Sequence, residues 1–289
     1  MTVDVLGRSV LDRMLNSLQQ VCTSQPSIIS ESATSSEVSQ SRPGRGNGYV
    51  ADWEDAVANQ IKEGAELLLL IRMSAYTDLA FDELLQFHLK NGPLTQVYDC
   101  DGPLDIALIN ASALHNSGRT YRKSLSAVIP QQRRFPFRGY VNRLRSPHDF
   151  WSLVNDSLNE RCALRPVGVE IQPQVWLGKD AEVDSSAVIS APAFIGAGSR
   201  ISWNCAISGA SAIERNCEID CASTVNRSHI LQDTYVGVGL DVRHSIVGSK
   251  KLFHLDRNVE IDFVDDCLIG ATSTMAPLLA TRGVMSSPG

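Results

Sequence analysis

Every sixth residue through much of the second half of the chain is aliphatic: Ile171, Leu177, Val183, Ile189, Ile195, Ile201, Ile207, Ile213, Ile219, Val225 and Leu231. The residues two places earlier are Val169, Val175, Ala181, Ala187, Ala193, Ser199, Cys205, Ser211, Cys217, Ser223 and His229, and all but the last are small or β-branched. Side chains alternate along a strand, so positions two apart share a face. A hexad with one large and one small residue on that face is a short strand plus a turn. Three hexads close one coil of a triangular prism too narrow for two large residues per strand. Neighbouring coils pair as parallel strands and stack like side chains on like. The pattern predicts a left-handed parallel β-helix over 161–270. It predicts a one-residue slip after Leu231, resumption at Val236-Gly237, Val242 and Val247-Gly248, an outward loop from Ser249 to Asp256, and a last turn at Cys267, Ile269 and Gly270. Cys205 and Cys217 are then small core fillers, and His229 a hydrogen-bonded packing residue in an inward slot.

The first half reads differently. Val10, Leu11, Met14, Leu15, Leu18 and Val21 make one face of a helix, Trp53, Val57 and Ile61 a second, and Phe81, Leu84, Leu85 and His88 a third. Leu67 to Ile71, Leu94 to Tyr98 and Ile106 to Ile109 read as strands. Residues 23–48 are rich in Ser, Gly and Pro and predict at most a short strand near Ile28 and Ile29, with a flexible loop over about 30–48. Ser146-Pro147-His148-Asp149 is a helix start, with Ser as N-cap and Pro in the first turn, and Phe150, Leu153, Val154 and Leu158 continue that helix. Strands alternating with helices imply an α/β domain over 1–160, and 271–289 is expected to be a flexible tail.

A net charge of −6 gives no sign of a general nucleic-acid binder. The first twenty residues carry Asp4, Arg8, Asp12 and Arg13 and no apolar core of a signal peptide. The longest aliphatic run, Leu67 to Ile71, is far too short to span a membrane. Seven cysteines without CxxC pairing fit a reducing cytoplasm better than a disulfide or zinc scaffold.

Three segments carry a family resemblance: Val5-Leu6-Gly7-Arg8-Ser9-Val10-Leu11-Asp12-Arg13; Thr77-Asp78-Leu79 with Leu84-Leu85-Gln86-Phe87-His88; and Gly139-Tyr140 with Ser146-Pro147-His148-Asp149-Phe150 and Asn155. In this order, followed by the hexads, they resemble the sugar-nucleotide pyrophosphorylases, such as mannose-1-phosphate guanylyltransferase. The resemblance implies a truncated Rossmann-like nucleotidyltransferase domain ahead of the β-helix. In that family a Gly-rich loop with Arg and Lys cradles the triphosphate, and two aspartates hold Mg²⁺. Here the sequence starts a few residues before Val5, so that loop is not expected, although an in-frame GxGTR-type segment ahead of Met1 would favour an active enzyme. The first metal position, after the buried strand, falls on Ser74 in Arg72-Met73-Ser74, and the second on Arg143 in Arg143-Leu144-Arg145. A hard dication wants carboxylate oxygens, which a serine does not supply and an arginine repels. The expectation is a domain without catalytic residues and without a cofactor, Mg²⁺ entering only if the chain is an active enzyme after all.

Between Asp105 and Asp149 there is no acid, but there are Arg119, Arg122, Lys123, Arg133, Arg134, Arg138, Arg143 and Arg145. The plain reading is a solvated basic face. The sharper one is a metal-free anion site at Arg133, Arg134, Arg138, Arg143 and Arg145 for a nucleotide sugar or phosphate. Three functions follow: a regulatory or scaffolding protein acting as a homo-oligomer or beside an active pyrophosphorylase, similar in plan to the regulatory subunit of eukaryotic GDP-mannose pyrophosphorylase; an active nucleotidyltransferase with an atypical site; or a hexapeptide-repeat acyltransferase using His244 or His254 as base. None requires a nucleic-acid or membrane partner.

Overall fold

The computed structural model describes residues 3–19, 21–22, 26–29, 48–114 and 128–272. Residues 30–47 of the expected loop, residues 273–289 of the expected tail, and Arg119, Arg122 and Lys123 lie outside them. The chain divides into two compact units, one of residues 14–141 and one formed by 1–13 together with 142–289. The chain opens with strands β1 (Asp4–Val5) and β2 (Arg8–Ser9), paired as a hairpin, and helix α1 (Val10–Gln19).

The 14–141 unit continues with α2 (Gly48–Lys62), β3 (Leu67–Ile71), β4 (Tyr76–Thr77), α3 (Phe81–Asn91), β5 (Leu94–Asp99), β6 (Gly102–Asn110), α4 (Ala111–Leu114) and β7 (Arg133–Pro136). β3 is aliphatic throughout because both its faces are covered. Leu68 and Leu70 pack with Trp53, Val57 and Ile61 of α2 on one side. Leu69 and Ile71 join Met14, Leu18, Phe81 and Leu84 on the other. His88 of the FH pair is buried and satisfied, with Nδ1 2.9 Å from Thr95 Oγ1 and Nε2 2.8 Å from Asn110 Oδ1. The sheet order is β3-β6-β5-β7. It is a mixed sheet: β6 runs antiparallel to both β3 and β5, and only β5 and β7 are parallel. The all-parallel pairing of a doubly wound sheet is therefore not what these four strands adopt. Residues 26–29 form no strand, within the expectation of at most a short one near Ile28 and Ile29.

In the second unit, after β8 (Val141–Asn142), α5 (Pro147–Leu158) begins where the sequence places it: Ser146 Oγ accepts the Asp149 N–H at 3.1 Å, and Pro147 needs no donor in the first turn. A parallel β-solenoid of about four turns follows. Its coils are β10 (Val175–Leu177), β11 (Glu182–Val183), β12 (Val188–Ile189); β13 (Ala193–Ile195), β14 (Arg200–Ile201), β15 (Ala206–Ser208); β16 (Ser211–Ile213), β17 (Glu218–Ile219), β18 (Thr224–Asn226); and β19 (His229–Ile230), β20 (Thr234–Val236), β21 (Asp241–Arg243), with β22 (Ser245–Gly248) starting a fifth. The hexad isoleucines Ile195, Ile201, Ile207, Ile213 and Ile219 are at most 1% exposed, which puts them in the interior as the period requires. The small inward positions do more than save space. Ser199 Oγ donates to Glu214 O at 2.6 Å and accepts from Cys217 N–H at 2.9 Å, and Ser223 bridges Gly237 O and Leu240 N–H in the same way, so each hydroxyl ties one coil to the next. Cys217 stacks in the column of Ser199 and Cys205 in that of Ser223, and burial raises both thiols above their ordinary pKa.

Four details differ from the hexad reading. First, the slip comes before Leu231. Lower coils repeat after 18 residues and upper ones after 17. The corner between β15 and β16 takes two left-handed residues, Gly209 (φ 72) and Ala210 (φ 59); its counterparts above take one, Arg227 (φ 50) and His244 (φ 41). Ile230 is thus the inward aliphatic residue and Ser228 the small one. His229 points outward from the prism and is buried by Phe150, whose ring stacks on it at 5.0 Å and 10°. Second, the Val169/Ile171 hexad is not a coil: β9 (Val169–Gln172) runs antiparallel to β10, and both residues are exposed. Third, the expected loop from Ser249 forms β23 (Lys251–His254), which pairs antiparallel with β22 and with β24 (Val259–Asp262). Fourth, Ile269 and Gly270 lie in β25 (Ile269–Ala271), antiparallel to β20 rather than in a further parallel turn. Among the described residues no helix is long and apolar enough to cross a membrane.

Candidate functional site

The segment Val5 to Arg13, which resembles the stretch following the family's Gly-rich loop, is folded onto the solenoid. The β1–β2 turn puts both Leu6 (φ 55) and Gly7 (φ 88) in the left-handed region, as a two-residue hairpin turn of this hand requires. Its two amides converge on one carboxylate: Leu6 N–H donates to Glu214 Oε1 and Gly7 N–H to Oε2, each at 2.7 Å. His229 Nε2 lies 2.8 Å from the same Oε1, and Glu214 and His229 are both fully buried. His229 Nδ1 has no partner among the described residues, so the imidazole proton belongs on Nε2 and points at the carboxylate. Glu214 therefore takes three donors, and the two amide N–H groups that could have cradled an anion are occupied by the protein's own carboxylate. Gly7 is required here, since a Cβ would sit 3.0 Å from Val167 Cβ and 3.2 Å from Phe194 Cζ at a left-handed φ. Arg13 donates to Val5 O at 2.8 Å and Leu6 O at 2.9 Å, and Val167 N–H donates to Leu6 O at 3.0 Å. Arg215 pairs with Asp4, whose carboxyl burial still holds above its ordinary range.

Ser74 sits in the turn after β3, its N–H donating to Arg72 O at 2.8 Å. Arg143 is half-buried and engaged with other groups. Asp149, six residues further on, is committed to the start of α5: its carboxylate accepts Arg145 N–H at 2.9 Å, and its carbonyl accepts Asn142 Nδ2 at 2.7 Å. Among the described residues no three His, Cys, Asp or Glu side chains converge as a metal site.

Of the arginines, Arg133, Arg134 and Arg138 belong to the 14–141 unit and Arg143 and Arg145 to the other. Arg133 Nε donates to Asn91 O at 3.2 Å, and the Arg134 guanidinium lies 4.8 Å over the Tyr98 ring. Arg133, Arg134, Arg138 and Arg145 are all exposed, so a ligand anion can reach them. The 14–141 unit also holds a cavity of about 950 Å³, walled by Trp53, Val57 and Leu68. Its charged lining is Glu63, Glu66, Asp105 and Arg72, a balance that disfavours a phosphate there.

The two histidines named as bases part company. His254, on β23, is half-buried, and its Nδ1 has no hydrogen-bond partner among the described residues. His244 stands at a left-handed corner with Nδ1 2.5 Å from Asp256 Oδ1 and the Trp151 ring set edgewise at 4.8 Å. Sequence reasoning missed Glu214 and Asp256. Glu214 follows Ile213 where Gly178 and Gly196 follow Leu177 and Ile195, so an acid at a position that is glycine in the two preceding coils was its visible signal. Asp256 comes from the β23–β24 turn and had none.

No protein-family model matches the chain, and no match to a curated protein was found.

Proposed function

We propose that the protein is a nucleotidyltransferase-like member of sugar-nucleotide or polysaccharide metabolism that does not transfer nucleotidyl groups, and that it works as a regulatory, scaffolding or sugar-nucleotide-sensing protein. The residues at the two metal positions carry this reading. Nucleotidyl transfer brings a sugar 1-phosphate against the α-phosphate of a nucleoside triphosphate, and cation charge must offset the repulsion. Ser74 offers a neutral hydroxyl, and Arg143 offers a like charge to any dication. The engagement of Leu6 N–H and Gly7 N–H by Glu214 supports the same conclusion, since it removes two donors from phosphate binding. On this reading the 14–141 unit is the remnant of a Rossmann-like nucleotidyltransferase domain, the arginines keep anion affinity without metal, and the solenoid carries assembly, either with itself or with an active pyrophosphorylase.

Thermal unfolding of the full chain with a panel of nucleotide sugars tests the ligand half of the proposal. A sugar nucleotide at 100 times its Kd adds about 2.7 kcal/mol to the folded state. The wild-type chain should shift with at least one nucleotide sugar, and the R133E/R134E/R138E variant should not. An absence of any shift across the panel, or an equal shift in the variant, removes the anion-site reading.

A further inference from the structure

The four-stranded sheet of the 14–141 unit has two edges, and they are built differently. β7, at one edge, reads Arg133-Arg134-Phe135-Pro136, with the charges and the proline that keep an exposed strand from pairing with another chain. β3, at the other, reads Leu67-Leu68-Leu69-Leu70-Ile71, with no charge, proline or bulge. An all-aliphatic run is usual in strands inside a sheet. The backbone of β3 is only half used. Ala111 N–H donates to Glu66 O and Arg72 N–H to Asp105 O, each at 2.8 Å, so positions 66, 68, 70 and 72 face β6 in the antiparallel ladder. The N–H and C=O groups of Leu67, Leu69 and Ile71 therefore point away from β6, and on that side they have no partner among the described residues. The cavity of about 950 Å³ lies along this edge. Its lining takes in all of 63–72, with Trp53 and Val57 from one face of the sheet and Leu18, Phe81 and Leu85 from the other, so it wraps around β3. Of the five strand residues only Leu68 is buried, and the rest keep accessible apolar surface.

We propose that β3 pairs with β3 of a second copy of this chain, joining the two sheets into one across a two-fold axis at Leu69. The strand is self-complementary in that register. Leu67 lies opposite the other copy's Ile71 and Leu69 opposite its own counterpart. All of these are edge-facing residues, and each such pair exchanges two backbone hydrogen bonds. Residues opposite each other share a face, so aliphatic side chains meet aliphatic ones along the cavity of each copy. At each end of the strand Glu66 falls opposite the other copy's Arg72. Both are exposed, and they stand at the closely spaced positions of the ladder, where Cα atoms are about 4.5 Å apart and side chains lie nearest. Moving the axis to Leu68 would set Glu66 against the other copy's Leu70, and moving it to Leu70 would set Arg72 against the other copy's Leu68. Only the axis at Leu69 matches every aliphatic residue of β3 and both charges. An isologous contact of this kind closes at two copies, which leaves no β3 edge to template further pairing. The surface lies wholly within the 14–141 unit and is separate from any assembly through the solenoid.

Sedimentation velocity of the full chain should show a dimer. Glu66→Lys or Arg72→Glu alone sets like charges opposite each other at two places across the axis and should raise the dissociation constant about tenfold. Glu66→Lys combined with Arg72→Glu restores opposite signs and should return the constant to within about threefold of wild type. That rescue separates pairing from damage to the fold, which a second substitution would not repair. Cross-linking reads the register. An equimolar mixture of the Glu66→Cys and Arg72→Cys variants should form a disulfide between the substituted positions on mild oxidation. Neither variant alone should do so, because position 66 lies about 20 Å from its own counterpart across the axis. Peptide mass mapping distinguishes this bond from links through the exposed Cys100 and Cys267. A monomeric wild type overturns the proposal and leaves the edge to a strand of a different protein. A dimer that neither single reversal weakens, or a mixture that gives no bond between positions 66 and 72, overturns it as well and puts the interface elsewhere.

Discussion

Removing the Glu214 carboxylate should release the N-terminal hairpin from the solenoid. In Glu214→Ala the Leu6 and Gly7 amides, held at 2.7 Å, and His229 Nε2, held at 2.8 Å, lose their acceptor together. Hydrogen bonds to a charged group are worth about 1.5–3 kcal/mol each, and a buried donor left unsatisfied costs about 1–3 kcal/mol. The hairpin amides can regain water if the hairpin lifts, whereas His229 lies deeper under Phe150, so the lower part of the summed range applies and Glu214→Ala should cost about 4 kcal/mol. Glu214→Gln keeps one carbonyl acceptor but turns an NH2 toward a donor, and should cost about 2 kcal/mol. Urea unfolding gives the shift in midpoint at constant slope. Amide hydrogen exchange gives the location: Leu6 and Gly7, protected in wild type, should exchange in the variant far faster than Ile213 or Ile219 inside the prism. A cost below about 0.5 kcal/mol for Glu214→Ala, with Leu6 and Gly7 still protected, would refute the argument.

Gly7→Ala should destabilise by about 1–3 kcal/mol, because it combines a left-handed φ with contacts of 3.0 and 3.2 Å to Val167 and Phe194; calorimetry checks this, and a neutral result would mean that the turn relaxes. Ile213→Ala should cost about 2–5 kcal/mol in urea unfolding, since its side chain fills the closed interior of the prism. Iodoacetamide should label Cys100 and Cys267, which are exposed, and spare Cys205 and Cys217, whose thiols burial holds in the protonated form; peptide mass mapping of the native chain reads the pattern. Asp241 is held below the usual carboxylate range by hydrogen bonds from Arg243 and Thr224. A depressed folded-state pKa contributes stability above the unfolded value and loses it as pH falls through the folded one, so Asp241→Asn should cost about 0.5 kcal/mol near neutrality, given its half-exposed side chain, and progressively less as pH falls below the usual carboxylate range.

The solenoid was legible because its interior imposes a strict period that no loop or helix would keep over so many repeats. What the period cannot encode is direction. Val169 and Ile171 satisfy the hexad as well as any pair, yet β9 runs back along β10, because a strand presents the same alternating face either way. Nor could the sequence choose between Ile230 and Leu231 as the inward residue, since both are aliphatic; the choice was made at the corner, where Arg227 does alone what Gly209 and Ala210 do together. Ser249 to Asp256 falls outside the hexad and reads as a loop, whereas Lys251 of β23 and Glu260 of β24 sit on neighbouring strands and pair with each other. The candidate sites were legible by halves. His244 was visible as a histidine in a repeat, but the residue that orients it is twelve positions away on a hairpin that only tertiary structure brings back. The buried network at Glu214 joins residues more than two hundred positions apart, and no local pattern announces it.

The central claim is that this chain does not transfer nucleotidyl groups. The most direct measurement is pyrophosphate release by the full chain from a panel of nucleoside triphosphates and sugar 1-phosphates in the presence of Mg²⁺. The account predicts no release above the protein-free control with any pair. Release with even one pair, abolished by substituting a carboxylate such as Asp78 or Asp82, would contradict it and would identify the metal-holding residues that Ser74 and Arg143 are not.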